Sequence, residues 1–297
     1  MIRNLIWAIA VMVLIAAGLV APAAAQLQDN LGALSGNNAK GYLGPLPKAL
    51  SGTLNSGIFN TGRVPKSGVG FTVGVRVMGV AFDDGDRTYT PTDPAGFVGT
   101  GSVQASTIIG DTQAVTQAGV GGTTLFHPGG FDIGEFAVAV PELTIGSVAG
   151  TRAVVRWISV DVGDADFGKL ELFGIGAQHS ISQYFEALPL DLAAGVFYQK
   201  FKISDKLVDT KALHFDVTGS KSFGPLQPYV AVGFDNFEMS SEYDAAGTGQ
   251  KISVDFDTES NMHLTVGGLL NFPVVKIHGE VNVAAVNGAA VGISFGL

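Results

Sequence analysis

The side chains best suited to metal or acid/base chemistry are five histidines, His127, His179, His214, His263 and His278. None of them forms the H-x-x-x-H or H-E-x-x-H pair of a helical metal site. His214, His263 and His278 fall on alternating stretches with Asp216 and Glu280, a set that suits a metal site or an acid/base site. A hydrogen-bonded network that fills a narrow interior explains the same set and is favoured. We therefore predict no metal ligand, no catalytic residue and no cofactor.

A G-x-S-x-G pattern centred on Ser294 is the other feature with chemical potential. A hydrolase nucleophile in this pattern lies on a strand-to-helix turn, with an acid and a histidine later in the chain. Only Leu297 follows Gly296 in this sequence, so we expect the pattern to be a chance match. The sequence offers no ordered Ser, His and acid set for an enzyme that acts on lipid, and we expect no enzyme.

Alternation also places charged and polar side chains on the predicted inward face of strands. These candidates for lining or selecting in a lumen are Arg76, Arg152, Arg156, Lys169, Glu171, His214, Asp216, Lys276, His278 and Glu280. In an open pore, the cationic members would select charged solutes. Paired with Glu171, Asp216 or Glu280 they would be structural ion pairs, and this second arrangement is favoured.

Alternating apolar and polar residues predict the strands that position these side chains. From position 69 onward, Phe71, Val73 and Val75 share one face, while the residues between them are mixed. Turn signals such as Asn287-Gly288 separate one alternating run from the next. The resulting strands are predicted near 69–82, 134–148, 151–161, 166–180, 189–203, 210–223, 227–241, 260–272, 274–285 and 288–297.

The predicted fold is an all-β, transmembrane, antiparallel up-and-down β-barrel of about ten strands (range about 8–14) with a plug-like N-terminal segment. Lys276, His278, Glu280 and Asn282 occupy consecutive inward positions, which would be costly in the dry core of a soluble sandwich. A sandwich whose polar face meets water remains the alternative. Short extra strands near 103–109 and 251–256 would raise the strand count to twelve or more.

An even strand count predicts where the ends and loops of the barrel lie. It places both termini on the periplasmic side, together with the tight turns at Gly150, Pro225 and Pro273. The long segments 83–132 and 242–259 then become outer loops. Pro141 interrupts a predicted strand, and it is a candidate lateral opening because proline cannot donate to the ladder.

The first 25 residues have the pattern of a cleaved secretory signal peptide. Arg3 is followed by an apolar run, and Ala23-Ala24-Ala25 fits the A-x-A cleavage rule. An uncleaved membrane anchor is the weaker alternative, because the apolar run is short. We expect cleavage after Ala25, export from a Gram-negative cell and location in the outer membrane.

The composition supports a membrane barrel and excludes a nucleic-acid partner. Charged residues make up 14% of the chain, against about 25% in ordinary globular domains. The formal net charge of −9 opposes binding to phosphate backbones. The chain has no cysteine, so the backbone ladder and side-chain packing must supply its stability without disulfides.

Residues 26–68 form a separate region that does not alternate like strands. Leu27, Leu31 and Leu34 have helical spacing, although the segment is rich in Gly, Asn, Ser and Pro. We predict a periplasmic or plug-like segment with a short helix. The barrel itself should then occupy 69–297, with its long outer loop at 83–132.

The order of several short motifs resembles an uncharacterised bacterial family of outer-membrane β-barrels, catalogued as a domain of unknown function. The motifs cover 41–46, 54–61, 128–131, 141–146 and 174–181, which read GYLGPL, LNSGIFNT, PGGF, PELTIG and GIGAQHSI. The family is distantly similar to outer-membrane transporters of fatty acids and other hydrophobic compounds, which carry an N-terminal plug. The resemblance implies a fold and a location, but no catalytic or ligand residue.

These observations predict a narrow, plugged channel or transporter for small or hydrophobic molecules. About ten strands lie close to the size at which side chains fill a barrel. The alternative is a structural or surface-interaction barrel that acts through its outer loops. The expected partners are outer-membrane lipid, the barrel-assembly machinery during insertion and a small-molecule solute.

Overall fold

The structure is a computed structural model that describes residues 21–161, 169–185, 188–204 and 206–296. Helix α1 (Ala21–Gly32) runs across the expected cleavage point after Ala25. The rest of the expected signal peptide, residues 1–20, lies outside the described residues.

The described chain contains a closed antiparallel barrel. In chain order, its strands are β1 (Ser67–Ala81), β2 (Thr88–Tyr89), β3 (Ala105–Ser106), β4 (Val115–Ala118), β5 (Thr124–His127), β6 (Glu135–Val148), β7 (Thr151–Asp161), β8 (Lys169–Ser180), β9 (Asp191–Ile203), β10 (Val208–Ser220), β11 (Leu226–Asp244), β12 (Lys251–Asp255), β13 (Glu259–Asn271), β14 (Val275–Val283) and β15 (Gly288–Gly296). Ten of these described strands, β1, β6 to β11 and β13 to β15, form the barrel, each beside its neighbour in the chain. The predicted ten-stranded up-and-down barrel is confirmed.

The barrel closes where its first strand meets its last. β1 pairs with β15, and Val75 lies opposite Ile293. The extra short strands do not enlarge the barrel. β12 pairs with the far end of β11, whereas β2 and β3 pair with each other inside the long loop.

Side-chain alternation gives the wall an apolar outside and a polar inside. Successive strand residues point to opposite faces, so the outward positions form a continuous belt. Examples from around this belt are Val77, Phe173, Val196, Val217, Val232, Leu264, Val281 and Val291, all of which are exposed. An exposed apolar surface of this extent is typical of a protein that meets lipid.

The N-terminal region forms three helices in the described chain, α1, α2 (Gly36–Tyr42) and α3 (Pro45–Leu54). Helix α3 contacts β1, β6, β11, β13 and β15, which lie on different sides of the wall, so it occupies the lumen. Pro45 stands in its first turn, where a missing N–H costs no helix hydrogen bond. Leu50 and Leu54 are buried against the wall.

The segment before β1, residues 26–66, crosses the lumen from one end to the other, and we name it the lumen segment. At the long-loop end, Ala246 N donates to Gly32 O at 2.8 Å, and Ile108 N donates to Tyr42 O at 2.8 Å. At the tight-turn end, Gly150 N donates to Lys66 O at 2.9 Å. The strand ends β1 and β15 therefore share the tight-turn end, whereas α1 lies at the opposite end. An even strand count alone had placed both termini together, because it takes no account of a chain that passes through the barrel.

Among the described residues, no helix is long and apolar enough to cross a membrane.

The apolar belt predicts a depth-dependent cost for charge on its outward face. Replacing Val232 with Lys should lower the free energy of unfolding in lipid by about 2–4 kcal/mol, because the ammonium would meet hydrocarbon. Ser240→Lys, near the rim of the same strand, should cost about 0–1 kcal/mol. Urea titration in vesicles measures both values. Equal costs at the two positions would contradict the belt.

Candidate functional site

A buried carboxylate lies between two arginines at the centre of the barrel wall. Glu142 on β6 accepts hydrogen bonds from Arg76 Nε and Nη2 on β1, at 2.9 and 2.7 Å, and from Arg156 Nε on β7, at 2.9 Å. Glu142 is 3% exposed, and neither arginine exceeds 4%. Three neighbouring strands bring these charges together because their inward positions lie close in height. Arg76 is two residues from Gly74, the partner of Glu142 on β1, and Arg156 lies opposite Glu142 on β7.

Arg156 connects this ion-pair network to the segment inside the lumen. Its Nη1 donates to Ser56 O at 3.0 Å, and its Nη2 donates to Gly57 O. These carbonyls follow α3, where the backbone has left the helix and needs other partners. The guanidinium therefore stabilises the buried turn after α3 as well as Glu142.

The opposite wall binds the same turn. Glu280 on β14 accepts from Gly57 N at 2.6 Å and from Tyr229 Oη at 2.6 Å. Asn282 Nδ2 donates to Ser56 Oγ at 2.9 Å. Gly57 has φ +66°, and an added Cβ would lie 3.1 Å from the Cβ of Ala290, so a glycine is required here.

A second buried cluster lies on β10, β11 and β13. His214 Nδ1 and His263 Nδ1 donate to the two oxygens of Asp235, at 2.7 and 2.8 Å. The imidazole rings stack with their centroids 5.0 Å apart. Phe59 of the lumen segment covers His214, with ring centroids 6.2 Å apart.

Asp216 is buried two residues from His214. Its Oδ2 accepts from Thr218 Oγ1, but its Oδ1 has no hydrogen-bond partner among the described residues. A buried carboxylate oxygen without a partner is destabilising, and Asp216 is the charged residue among the few described ones whose buried polar atoms lack a partner.

The tight-turn end of the lumen contains an open cavity of about 530 Å³. Among the residues that the structure describes, its lining includes Arg63, Arg76, Arg152 and Lys276 but no aspartate or glutamate. Arg152 bonds to Gln178 rather than to a carboxylate. We name this cavity the basic vestibule.

The long-loop half of the lumen is apolar instead. Side chains of α1, α2 and α3 pack there against inward residues of the wall. Members of this apolar core are Leu31, Leu43, Leu50, Leu54, Met78, Val140, Leu172, Phe201 and Phe237. The interior thus changes from apolar at one end to charged at the other.

Polar groups outside the spanning strands secure α2 to the long loop. Tyr42 Oη donates to Gly129 O at 3.0 Å and accepts from Asn30 Nδ2 at 2.8 Å. Burial raises the pKa of Tyr42 to about 12, so it remains a neutral donor at ordinary pH. Burial also lowers the pKa of His127, which keeps this loop imidazole neutral.

The barrel wall is incompletely paired at Pro141. β6 pairs with β1 along 135–145, but its ladder with β7 starts only at Glu142↔Arg156. In this described part of the wall, 135–141 of β6 and 157–161 of β7 have no ladder pair with each other. We name this interruption the β6–β7 gap. It lies in the long-loop half, because β6 begins and β7 ends there.

The gap opens beside the apolar core. Phe136 and Val138 on β6 and Ile158 on β7 pack against that core while remaining partly accessible. Pro141 itself has no N–H to donate, as the sequence indicated. The pairing between β6 and β7 therefore stops at Pro141, the residue that the sequence analysis proposed as a candidate lateral opening.

The structure brings most of the predicted lumen residues inward and excludes two. Arg76, Arg152, Arg156, His214, Asp216, Lys276, His278 and Glu280 face the lumen. Lys169 and Glu171 do not, because the inward residues of β8 are Leu172 and Gln178. They form an exposed ion pair at 2.5 Å on the outward face. The prediction that Lys169 and Glu171 face the lumen was wrong. The alternation was assigned to the wrong face of β8, because the start of this strand gives no clear apolar face.

Two buried charged residues of the lumen were missed by sequence reasoning. The sequence analysis did not predict Glu142, which follows the strand-breaking Pro141. It also did not predict Asp235, which follows the outward-facing Phe234. Both occupy inward positions of strands whose alternation was recognised. Counting charges on the inward face alone would have found them.

A scan against protein-family models matches residues 2–297 to a family described as "Family of unknown function (DUF6588)". The chain belongs to this family, and the resemblance drawn from the motif order is confirmed. A search of curated proteins found no match.

Solved structures of outer-membrane proteins were also compared with the chain. A loop-deletion mutant of OmpT from Vibrio cholerae is 12% identical, covers 78% of this chain and 100% of its own, and gives a TM-score of 0.27. The toluene transporter TbuX of Ralstonia pickettii is 10% identical, with 80% and 90% covered and a TM-score of 0.27. A Rh. blastica porin mutant is 14% identical, with 77% and 99% covered and a TM-score of 0.22. Superpositions this loose carry no argument about activity.

The central ion-pair network predicts a large effect of one neutral substitution. Glu142→Gln leaves Arg76 and Arg156 buried without a counter-charge, so the free energy of unfolding should fall by about 3–5 kcal/mol. Glu171→Gln removes the exposed partner of Lys169 and should cost at most about 1 kcal/mol. Chemical denaturation in detergent measures both. A Glu142→Gln variant as stable as wild type would show that the network contributes little.

Proposed function

We propose that this family member is an outer-membrane transporter that admits small hydrophobic molecules through the β6–β7 gap into a plugged lumen. The observation that carries the proposal is the loss of strand pairing at Pro141 directly beside an apolar interior. The free energy of a hydrophobic solute falls when it leaves water or a polar headgroup region for such a surface.

The outward belt and the loop asymmetry support an outer-membrane location. Tight turns lie at one end of the barrel and the long 82–134 connection at the other. Outer-membrane barrels have short periplasmic turns and longer external loops. In the proposed orientation, the β6–β7 gap lies in the outer leaflet and the basic vestibule lies at the periplasmic mouth.

The lumen segment makes free diffusion through the barrel axis unfavourable. Residues 55–65 and α3 occupy the interior and are bonded to both walls by Arg156, Glu280 and Asn282. A solute that enters through the gap reaches the apolar core and must displace part of this segment to continue. The path then ends at the basic vestibule, where Arg76 and Arg152 are candidates for favouring an anionic group.

A structural or surface-interaction role is the second candidate, and the folded long loop supports it. That loop contains β2 to β5 and is closed by the Arg87–Asp132 ion pair. Deleting 90–104, which lies between β2 and β3, separates the two roles. Transport should survive the deletion, whereas a surface-interaction role would be lost with the loop.

The lumen segment predicts a low conductance for the intact protein. Full-length protein in a planar bilayer should show no ion conductance. Removal of residues 26–65 should give steady conductance, because the lumen is then no longer occupied by the chain. Arg156→Gln should give intermittent openings, since it loosens the turn at Ser56 and Gly57 without removing any chain. Glu171→Gln is the silent control. Equal conductance with and without residues 26–65, after insertion is verified, would refute the plug.

The β6–β7 gap predicts that a cross-link will block transport reversibly. The chain has no native cysteine, so Ala139→Cys with Ser159→Cys introduces one pair, across the unpaired part of β6 and β7. Oxidation should lower the uptake of N-phenyl-1-naphthylamine by intact cells that express the protein, and reduction should restore it. Lipopolysaccharide slows unassisted passage of this hydrophobic dye, so uptake reports the barrel.

The matched control places the same cross-link on the tight-turn side of Pro141, where β6 and β7 are paired. Leu143 lies opposite Val155 in the paired part of the same two strands. A disulfide between cysteines at these positions should leave uptake unchanged. Because the separation at the open pair can hinder a disulfide, Pro141→Val provides a second closure by restoring an N–H. Uptake that is insensitive to both closures would overturn the lateral route.

A further inference from the structure

We propose that His214, Asp235 and His263 bind a divalent transition-metal ion, with zinc as the first candidate, inside the barrel. These three residues form the group within the described chain whose nitrogen and oxygen atoms could hold a metal, all lying within 4.8 Å of one another. The inference is independent of the transport proposal, because a metal here would act on the wall and on the lumen segment.

The donor set has the chemistry and the geometry for such an ion. Two imidazole nitrogens and a carboxylate are the usual protein ligands of a zinc site with three protein donors. Both Nδ1 atoms already point at Asp235, at 2.7 and 2.8 Å from its oxygens. Zinc–ligand bonds are about 2.0–2.2 Å, so small outward shifts would open a tetrahedral position between the three side chains.

Asp216 gives a second, separate reason to expect a cation. It is 5% exposed, and its Oδ1 has no partner among the described residues. Arg152, a cation at the nearby vestibule, donates to Gln178 and Thr61 instead of to either carboxylate. Among the described residues, no arginine or lysine is hydrogen-bonded to Asp216 or Asp235, and a divalent ion would supply positive charge beside both carboxylates. Asp216 lies outside the group of three ligand residues, and it is the candidate acceptor for a metal-bound water.

The surroundings hold the donors in one arrangement. The site is fixed by three adjacent strands, since His214, Asp235 and His263 lie on β10, β11 and β13. A Cβ at Gly233 would collide with the ring of His263, so glycine provides the space into which that ring folds. Phe59 closes the site on the lumen side. Rigid strands and a covered position favour a structural metal over a freely exchanging one.

A metal at this position would join the wall behind Phe59 and so stabilise the lumen segment where it passes. The competing explanation is a metal-free hydrogen-bonded triad, in which Asp235 accepts hydrogen bonds from both histidines. That explanation satisfies Asp235 but leaves Asp216 Oδ1 without a partner. The two explanations differ in metal content, which is directly measurable.

The experiment loads full-length protein with Zn²⁺ during refolding, removes free metal by dialysis and measures bound zinc by elemental analysis. We expect about one equivalent per chain, together with a thermal midpoint that falls when a chelator is present during refolding. Loading with Co²⁺ should give the visible absorption of a tetrahedral nitrogen–oxygen site. Correctly folded wild type without bound zinc or cobalt would overturn the proposal.

Variants assign the metal to these residues. Asp235→Asn and His263→Gln should weaken zinc binding by at least about tenfold. His278→Gln is the matched control, because His278 is also buried in the lumen but contacts Arg76 outside the cluster. Zinc retained in both cluster variants would place the metal elsewhere and refute this assignment. If one variant fails to fold, the cobalt spectrum of wild type and the other variant still decide the outcome.

Discussion

A strand-based membrane protein must hydrogen-bond its peptide groups to neighbouring strands, because hydrocarbon offers them no partner. Closing β1 onto β15 meets this requirement around most of the wall and removes the free sheet edges. The same closure creates an interior about as wide as ten strands allow. That interior must be filled by side chains, water or another part of the chain, and the remaining structure follows from how it is filled.

The chain fills its own lumen with backbone as well as with side chains. A buried irregular backbone needs partners for each exposed peptide group. Arg156 and Gln199 donate to carbonyls at the end of α3, while Glu280 accepts from Gly57 N. Inward charges that a soluble core would exclude are stabilising here, because they bond both to one another and to the lumen segment. The buried charges of the wall and the lumen segment therefore stabilise each other through these hydrogen bonds.

The β6–β7 gap is an interruption of strand pairing in the described wall, and it occurs where the interior is apolar. Pro141 ends the ladder between β6 and β7, while β6 keeps its pairing with β1. The unpaired segments border the apolar core rather than the basic vestibule. The Glu142↔Arg156 pair bounds the gap on the tight-turn side, so the buried charges lie within the paired part of the wall. The position of the proline is therefore consistent with lateral access.

The sequence by itself determined the barrel, its strand positions and the presence of an unusual N-terminal segment, because alternation and turn residues are local signals. It also identified Pro141, since the missing N–H is a property of the residue alone. Only the tertiary structure decided that Glu142 joins Arg76 and Arg156, that Asp235 joins two histidines, and that Lys169 and Glu171 face outward. The first two facts depend on the register between strands, whereas the outward position of Lys169 and Glu171 depends on which face of β8 meets the interior. Likewise, no local pattern shows that residues 26–66 cross the lumen, because that path is set by the shape of the closed wall.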